Sequence, residues 1–263
     1  MKVDLTGKTA IVCGASKGMG FASAKALAVS GANVTILARN NDELKRAEQE
    51  LIRECASKIL TVQCDLSRFE DIKNAFDEAI NTFGSVEILV NNTGGPKSGR
   101  LDTLSDKDWK SAFESLFLSV VRMTRLSVPI MRQNKFGRII NITSILAKSP
   151  SEGMGLSNAI RAAILGFSKT LSREVAKDGI TVNSLCPGAI ATSRLENLIK
   201  LDAKEEKISP EKMRNRIESG IPSGFIATPD DFANAVLFLA SPESRYVNGT
   251  VIQIDGGEYK GLI

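Results

Sequence analysis

The 263-residue sequence predicts an α/β fold in which a parallel sheet is covered by helices on both faces. Short β-branched runs alternate with longer helical patterns along the chain, which is typical of parallel strands joined by crossover helices. Most of these runs are continuously apolar at their centres, as strands buried on both faces must be. No repeat or low-complexity linker interrupts the alternation, so we expect residues 1–263 to form a single domain.

Seven strands are predicted, and two of the helices between them have recognisable starts. Ser105 followed by Asp108 resembles a capping box, and Thr228-Pro229 with Asp231 supplies an N-cap, a first-turn proline and an acidic third residue. The predicted strands cover residues 9–13, 33–38, 59–64, 86–91, 137–143, 180–186 and 250–254.

The stretch 189–223 is irregular and predicts one or two amphipathic helices inserted after the sixth strand. Open α/β sheets bind ligands beside the carboxyl ends of their strands, which is where this insertion begins. We therefore expect a substrate lid at about 189–223. A surface excursion with no role in binding is the alternative.

Composition narrows the class of protein. The hydrophobic share of 43% and the charged share of 24% are ordinary for a globular chain, and runs such as residues 235–240 are too short to span a bilayer. The N-terminus lacks the apolar core of a signal peptide, which indicates a cytoplasmic protein. The net charge of +4 comes from interspersed Lys and Glu, so the sequence indicates no nucleic-acid partner.

Cysteine, histidine and tyrosine usage limits the possible chemistry. The four cysteines form no C-x-x-C pair, which predicts buried reduced thiols and no metal site. Histidine is absent, and Tyr246 and Tyr259 are the two tyrosines. Histidine and tyrosine often move protons in catalysis, so their scarcity restricts the candidates for a catalytic acid. The cysteines are Cys13, Cys55, Cys64 and Cys186.

A glycine-rich loop connects the first strand to the first helix in the pattern G-x-x-x-G-x-G. Such a loop lets the backbone approach a pyrophosphate, and the helix N-terminus offers it free N–H groups and partial positive charge. The context predicts dinucleotide binding, although a tight structural turn could also use three glycines. The predicted contacts in this loop are Gly14, Ser16, Lys17, Gly18, Met19 and Gly20.

The second strand ends at Arg39, where NAD-binding proteins usually carry an acidic residue for the adenosine 2′-hydroxyl. A guanidinium is suited to a 2′-phosphate, and Lys17 of the glycine loop can assist it. We therefore expect NADP(H) to be preferred over NAD(H). Two solvated surface cations are the alternative.

Four further motifs follow in order: Cys64-Asp65-Leu66, Asn91-Asn92-Thr93-Gly94, a P-G-x-x-x-T loop at 187–192, and Asp255-Gly256-Gly257. With the glycine loop they resemble the short-chain dehydrogenase/reductase family over essentially the whole chain. The resemblance implies a Rossmann-type sheet in the order 3-2-1-4-5-6-7, and a homotetramer or homodimer. The cofactor contacts that it implies are Asp65, Leu66, Asn92, Thr93, Gly94, Arg161, Pro187, Gly188, Ile190 and Thr192.

The family's usual chemistry needs an asparagine, a serine, a tyrosine and a lysine, and this sequence departs from that set. Ser144 stands at the serine position, but Ser157 occupies the tyrosine position and Arg161 the lysine position. Leu116 occupies the asparagine position. The stretches NNTGGP, FGRIIN and SNAIR resemble a divergent branch that lacks the Tyr-x-x-x-Lys pair, including NADPH-dependent reductases of bacilysin biosynthesis that act on a conjugated olefin.

The residues at these positions favour some reactions over others. A serine hydroxyl is a weak acid, and arginine stays protonated, so Ser157 and Arg161 do not reproduce the usual proton donor. Arg161 can still bind ribose hydroxyls and stabilise an oxyanion. We therefore expect catalytic roles for Ser144, Ser157 and Arg161, in hydride transfer to a small conjugated carbonyl (enone) substrate.

Two alternatives remain open at this point. One is conventional ketone or alcohol chemistry, as in 3-oxoacyl carrier-protein reductases, with Ser144, Ser157 or a water as the acid. The other is a catalytically silent NADP(H)-binding protein. All three hypotheses share the same cofactor site.

Overall fold

Seven parallel strands form one sheet in the computed structural model, which describes residues 3–262. The strand order is 3-2-1-4-5-6-7, and every recorded pairing is parallel, so the predicted fold class is confirmed. The strands are β1 (Thr9–Cys13), β2 (Asn33–Ala38), β3 (Ile59–Gln63), β4 (Ile88–Asn91), β5 (Gly137–Ile142), β6 (Ile180–Pro187) and β7 (Val251–Ile254).

Helices cover both faces of this sheet. In β1, Ala10 and Val12 pack against the helices of one face, whereas Ile11 and Cys13 pack against those of the other, because successive side chains of a strand point to opposite faces. The helices are α1 (Gly18–Val29), α2 (Asn41–Glu54), α3 (Phe69–Phe83), α4 (Asp106–Ala112), α5 (Ser119–Gln133), α6 (Gly155–Glu174), α7 (Ser193–Glu205), α8 (Pro210–Gly220) and α9 (Pro229–Ala240).

The predicted strands are all present, with small differences at their ends. The fourth begins at Ile88 and not at residue 86; beside its start, the Glu87 carboxylate accepts the Thr9 N–H at 2.9 Å. The sixth extends one residue further, to Pro187. Proline has no N–H to contribute to the ladder, so it is tolerated here because it stands at the end of the strand.

Both predicted capping boxes are present at helix starts. Ser105 Oγ accepts from the Asp108 N–H at 3.3 Å, and the Asp108 carboxylate accepts from the Ser105 N–H at 3.0 Å. Thr228 and Asp231 make the same reciprocal pair at the start of α9. Each box satisfies N–H groups that a helix start leaves without partners.

The irregular stretch 189–223 contains two helices, α7 and α8. They pack on each other through a small apolar cluster of their own, centred on Ile199, Ala203 and Met213. Arg214 of α8 also pairs with Glu196 of α7. The two helices therefore form an α-helical pair joined to the carboxyl edge of the sheet after β6.

A π-helical segment, Phe113–Leu118, joins α4 to α5. Segments of this kind are rare and often occur beside functional sites. Leu116 lies in this segment and is buried against Ala112, Leu156 and Ile160. The Leu116 side chain therefore packs under the start of α6.

Candidate active site

A cleft of about 1600 Å³ lies at the carboxyl edge of the sheet, between the ends of the strands and α7. It brings together the predicted catalytic residues and all but one of the predicted cofactor contacts. The predicted residues that line it are Gly14, Ser16, Lys17, Gly18, Met19, Arg39, Asp65, Leu66, Asn92, Thr93, Gly94, Ser144, Ser157, Arg161, Pro187, Gly188, Ile190 and Thr192.

The glycine loop forms one end of the cleft in a conformation that needs glycine. Gly14 and Gly18 have φ values of +57° and +60°, in the left-handed region. Lys17 is the N-cap of α1, and no side chain caps the helix start. The first N–H groups of α1 thus remain available to an anion, which is the arrangement that a pyrophosphate requires.

Gly20, also predicted as a cofactor contact, is not among the residues that line the cleft. A Cβ at this position would lie 2.3 Å from the Gly14 carbonyl oxygen and 2.7 Å from Asn92 Nδ2. Gly20 therefore lets α1 pack closely against the glycine loop. Its role is to shape the loop, and the sequence pattern does not distinguish this role from ligand contact.

Arg39 and Lys17 lie at the same end of the cleft, together with an acidic residue that the sequence pattern did not identify. The Lys17 ammonium pairs with Glu43 Oε1 at 2.8 Å, and the Ser16 hydroxyl donates to Glu43 Oε2 at 3.1 Å. The hydrogen bond from Lys17 lowers the pKa of the Glu43 carboxyl. Arg39 is exposed and makes no ion pair with any residue between 3 and 262.

Asp65 and Leu66 line the neighbouring part of the cleft, beyond the end of β3. Asp65 Oδ1 accepts from the Ser67 N–H at 3.0 Å and from the Ser67 hydroxyl at 2.8 Å. Burial opposes ionisation of this carboxyl, but the two Ser67 bonds and the charges of Arg39 and Arg68 together outweigh burial, and the pKa of Asp65 is lowered. The Asp65 carboxylate is therefore held in place by its own turn.

Asn92 joins the end of β4 to the glycine loop. Its Nδ2 atom donates to the carbonyl oxygens of Cys13 and Gly14 at 3.2 and 3.0 Å. Thr93 and Gly94 continue from Asn92 along the wall of the cleft. One amide side chain thus fixes the spacing between two neighbouring strand ends.

The three predicted catalytic residues meet near the ends of β5 and α6. Arg161 Nη1 donates to the Ile142 carbonyl oxygen at 3.1 Å, and Ser157 lies one helical turn before Arg161 on the same face. Ser144 follows β5, is half-buried, and its Oγ accepts from the Leu146 N–H at 3.2 Å. Ser157 and Arg161 are 4% and 7% exposed, so water has little access to either.

Burial, and second the positive charge of Arg194, lower the pKa of the Arg161 guanidinium to about 10. Arg161 is therefore still a cation at neutral pH. It forms no ion pair with a carboxylate in the described part of the chain. A buried cation without a charged partner is costly, and such groups are concentrated at functional sites.

A buried polar network supports this part of the cleft from below. Asn91 Nδ2 donates to Asn141 Oδ1 at 2.7 Å, and Asn141 Nδ2 donates to Ser168 Oγ at 2.8 Å. The network connects β4, β5 and α6. Because each amide has partners, the network orients the strand ends at a modest cost in desolvation.

Arg194 and Glu258 are further charged residues of the cleft that the sequence analysis did not identify. Arg194, in the first turn of α7, reaches across to the loop after β4 and donates to the Pro96 carbonyl oxygen at 3.3 Å. Glu258 lies over Gly188, where its Oε2 atom would be 2.8 Å from an added Cβ. Burial, and second the Asp255 charge, raise the pKa of the Glu258 carboxyl. Neither residue belongs to a motif, so only the fold brings them to the site.

The four cysteines are free thiols, and none belongs to a cluster of potential metal ligands within the described residues. Cys13, Cys64 and Cys186 are buried and Cys55 is partly buried, all as free thiols. Burial raises the pKa of Cys64 to about 12.

Over residues 3–262, no group of three or more His, Cys, Asp or Glu residues is placed to hold a metal ion. No helix in that range has the length and apolar character of a membrane span.

The sheet order, the glycine loop at its carboxyl edge and the cleft beyond it define a Rossmann-type α/β protein. A family model described as enoyl-(acyl carrier protein) reductase matches residues 14–258. The chain therefore belongs to the short-chain dehydrogenase/reductase family of oxidoreductases.

Curated relatives align along nearly the full length. The chain is 34% identical over 253 residues to 3-oxoacyl-(acyl-carrier-protein) reductase FabG of Chlamydia muridarum, covering 96% of this chain and 98% of the relative. It is 31% identical over 256 residues to the NADPH-dependent reductase BacG of Bacillus subtilis, covering 97% and 99%. L-sorbose reductase of Gluconobacter frateurii, solved with NADPH and L-sorbose, aligns with a TM-score of 0.95 and 32% identity over 100% of both chains.

Proposed function

We propose that this protein is an NADP(H)-dependent oxidoreductase that reduces a conjugated carbonyl compound. The observation that carries the proposal is the buried Arg161 cation beside Ser144 and Ser157. No tyrosine lines the cleft within the described residues: Tyr246 is 99% exposed, and Tyr259 packs under Lys148. The site thus offers a positive charge that can stabilise an oxyanion, but no tyrosine that could protonate it. A ketone reductase would need both.

The residues at the glycine-loop end fit a phosphorylated dinucleotide. Gly14 and Gly18 leave room for a pyrophosphate that the start of α1 can bind, and Arg39 and Lys17 offer cations to a 2′-phosphate. The NADPH dependence of BacG, and the NADPH bound to L-sorbose reductase, support the same cofactor here. When bound, the reduced nicotinamide supplies a hydride.

Arg161 suits conjugate reduction better than ketone reduction. Hydride addition at the β-carbon moves the C=C electron pair toward the carbonyl oxygen, which gives a delocalised enolate. The Arg161 guanidinium can stabilise that oxygen electrostatically while water later supplies a proton to the α-carbon. The balanced reaction consumes the enone, one NADPH and one proton and gives the saturated ketone and NADP⁺.

The helical pair α7 and α8 is proposed to act as the substrate lid. One face of α7 lines the cleft, and the pair's apolar cluster is separate from the two large clusters of the sheet. A unit with its own core can move as a body relative to the sheet. Limited proteolysis with and without NADPH would test this role, since ordering of the lid should protect residues 189–223.

Reduction of an ordinary ketone is the second candidate, and Glu258 is the observation that favours it. Its raised pKa makes it a possible proton donor beside Gly188, in addition to Ser144, Ser157 or water. The similarity to FabG and to L-sorbose reductase supports the same candidate.

Oxidation of NADPH in the presence of enones, 3-oxoacyl thioesters and simple aldehydes tests the proposal. Activity on enones with little activity on ketones supports conjugate reduction. Activity on ketones alone contradicts it and supports the second candidate, whereas tight NADPH binding without turnover indicates a catalytically silent binding protein. Light scattering on the same sample tests the predicted homotetramer or homodimer.

A further inference from the structure

Three arginines of the cleft have no carboxylate partner within residues 3–262: Arg39 at the glycine-loop end, and Arg161 and Arg194 away from it. Arg161 lies on its buried side and Arg194 at its mouth, and neither makes an ion pair with another residue of the range 3–262. Nearby cations differ in this respect, since Lys97 pairs with Asp108 at 3.1 Å and Arg100 with Asp102 at 3.4 Å. Away from the glycine-loop end, the cleft therefore contains two guanidiniums whose charge is not balanced by a carboxylate of the described chain.

Arg194 is held in position by its contact with the loop after β4. Its Nη2 atom donates to the Pro96 carbonyl oxygen at 3.3 Å, and its Cζ atom lies 2.1 Å from where a Gly95 Cβ would be. Any side chain at Gly95 would therefore displace the guanidinium. The contact places Arg194 across the mouth of the cleft, with its other nitrogens free of recorded partners in the described chain.

The face of α7 that lines the cleft is graded in polarity. Arg194, Leu198, Leu201 and Glu205 follow at spacings of three or four residues along the helix, Asp202 lies four residues after Leu198, and all five line the cleft, so they share one face. Asp202 lies about 12 Å along the helix axis from Arg194. An anion is thus favoured at the Arg194 end and repelled at the other, with apolar surface between.

We propose that Arg194 binds a carboxylate of the substrate while Arg161 binds the adjoining carbonyl oxygen. The substrate is then a conjugated carbonyl compound that carries a carboxylate next to the carbonyl group, and an apolar body that lies along Leu198 and Leu201. The inference rests on the proposed conjugate reduction. Guanidinium groups match carboxylates in a bidentate geometry, which suits Arg194 to this role.

Two probes that differ at one group test this inference. Benzylidenepyruvate and benzylideneacetone share the same enone and phenyl group, but the first carries a carboxylate where the second carries a methyl group. We expect kcat/KM to be about 10- to 100-fold higher for the acid. Arg194→Ala should remove most of that preference and leave the ketone within about twofold, and Arg194→Lys should restore part of it.

The control variant is Arg216→Ala, because Arg216 lies on α8 and pairs with Glu206 outside the cleft. It should leave both substrates unchanged. Fluorescence titration with NADPH should give the same Kd for Arg194→Ala and the unmodified protein. Equal losses for acid and ketone, or a loss of NADPH affinity, would overturn the inference, since Arg194 would then serve the lid or the cofactor.

A binding measurement separates this inference from the proposed function. Calorimetric titration of the NADP⁺ complex with each probe should show tighter binding of the acid, and Arg194→Ala should abolish the difference. If neither enone is reduced but the acid still binds in this Arg194-dependent way, the proposed reaction fails and the carboxylate site stands. If both enones are reduced or bound equally well, the carboxylate site fails and conjugate reduction stands or falls on turnover alone.

Discussion

The Nη1 atom of Arg161 donates a hydrogen bond of 3.1 Å to the Ile142 carbonyl oxygen, which holds a cation at the carboxyl end of β5. Ser157, one turn earlier on α6, shares the face that turns toward the sheet. The hydrogen bond to Ile142 therefore fixes the position of the Arg161 charge in the cleft.

Arg161→Met should lower kcat for enone reduction by about 10- to 1000-fold, because the oxyanion loses its electrostatic partner. Arg161→Lys should retain more activity, since it keeps the charge. Arg173→Met, at the exposed end of α6, is the control and should behave as the unmodified protein. Melting temperatures should not fall for Arg161→Met, because it removes a buried unpaired charge. An unchanged kcat would remove Arg161 from the proposed chemistry.

The pH dependence of enone reduction should report the same group. The pKa of Arg161 is about 10 in the folded protein, so activity should decline as the pH rises through about 10 and the cation is lost. Because burial lowers this pKa from its ordinary value, the unfolded chain holds more protons than the folded one above pH about 10, so this group opposes folding less as the pH rises. Circular dichroism over the same range separates the decline from unfolding caused by other groups.

Cofactor preference should respond in opposite directions to two substitutions near the 2′ position. Arg39→Asp should weaken NADPH binding about 10- to 100-fold relative to NADH, because a carboxylate repels the 2′-phosphate. Glu43→Gln should strengthen NADPH binding about 3- to 10-fold, because Lys17 no longer pairs with a carboxylate at 2.8 Å. Fluorescence titration measures both, with Arg53→Asp on the outer end of α2 as control. An unchanged preference in Arg39→Asp would contradict the assignment.

Single and combined substitutions of the candidate proton donors distinguish the two reactions. Ser144→Ala, Ser157→Ala and Glu258→Gln should each leave enone reduction within about fivefold, since water can protonate the α-carbon. If ketone reduction is the physiological reaction, one of these variants should lose about 100-fold or more in kcat for a ketone. Loss of enone reduction in Glu258→Gln, with NADPH affinity retained, would show that the carboxyl is the acid and would contradict the proposed mechanism.

Gly20→Ala should destabilise the protein by about 1–3 kcal/mol and weaken cofactor binding, because its Cβ would lie 2.3 Å from the Gly14 carbonyl oxygen. Gly166→Ala is a matched control: it also lies in a helix, and its Cβ would meet no atom within 4 Å. That variant should be more stable by about 0.5–1 kcal/mol. Urea denaturation measures both. Equal behaviour of the two variants would show that the close approach at Gly20 is easily relieved.

Local patterns in the sequence were sufficient to predict most of the fold. Apolar strand centres and capping boxes are set by residues close together in the sequence. The seven strands and the capping boxes at Ser105 and Thr228 are present as predicted. Positions inside motifs were also informative, since nearly all predicted contacts line one cleft. Their roles with bound cofactor and substrate remain predictions.

Residues outside the motifs could not be identified in the same way. Glu43 meets Lys17 from a different element, Arg194 reaches the Gly95 loop across the cleft, and Glu258 lies over Gly188. Each pair is far apart along the chain, so only tertiary packing brings it together. Gly20 is absent from the cleft lining, its nearest atoms belong to Gly14 and Asn92, and the pattern of glycines contains no information on that distance.

The chain of amides from Asn91 through Asn141 to Ser168 also bears on how molecules enter and leave. Because it cross-links two central strands and the helix beneath the reacting groups, that side of the cleft is stiff. Movement during turnover is then expected on the side of the cleft lined by α7, which belongs to the proposed lid. Product departure, and not bond making, would in that case set the pace at saturating substrate.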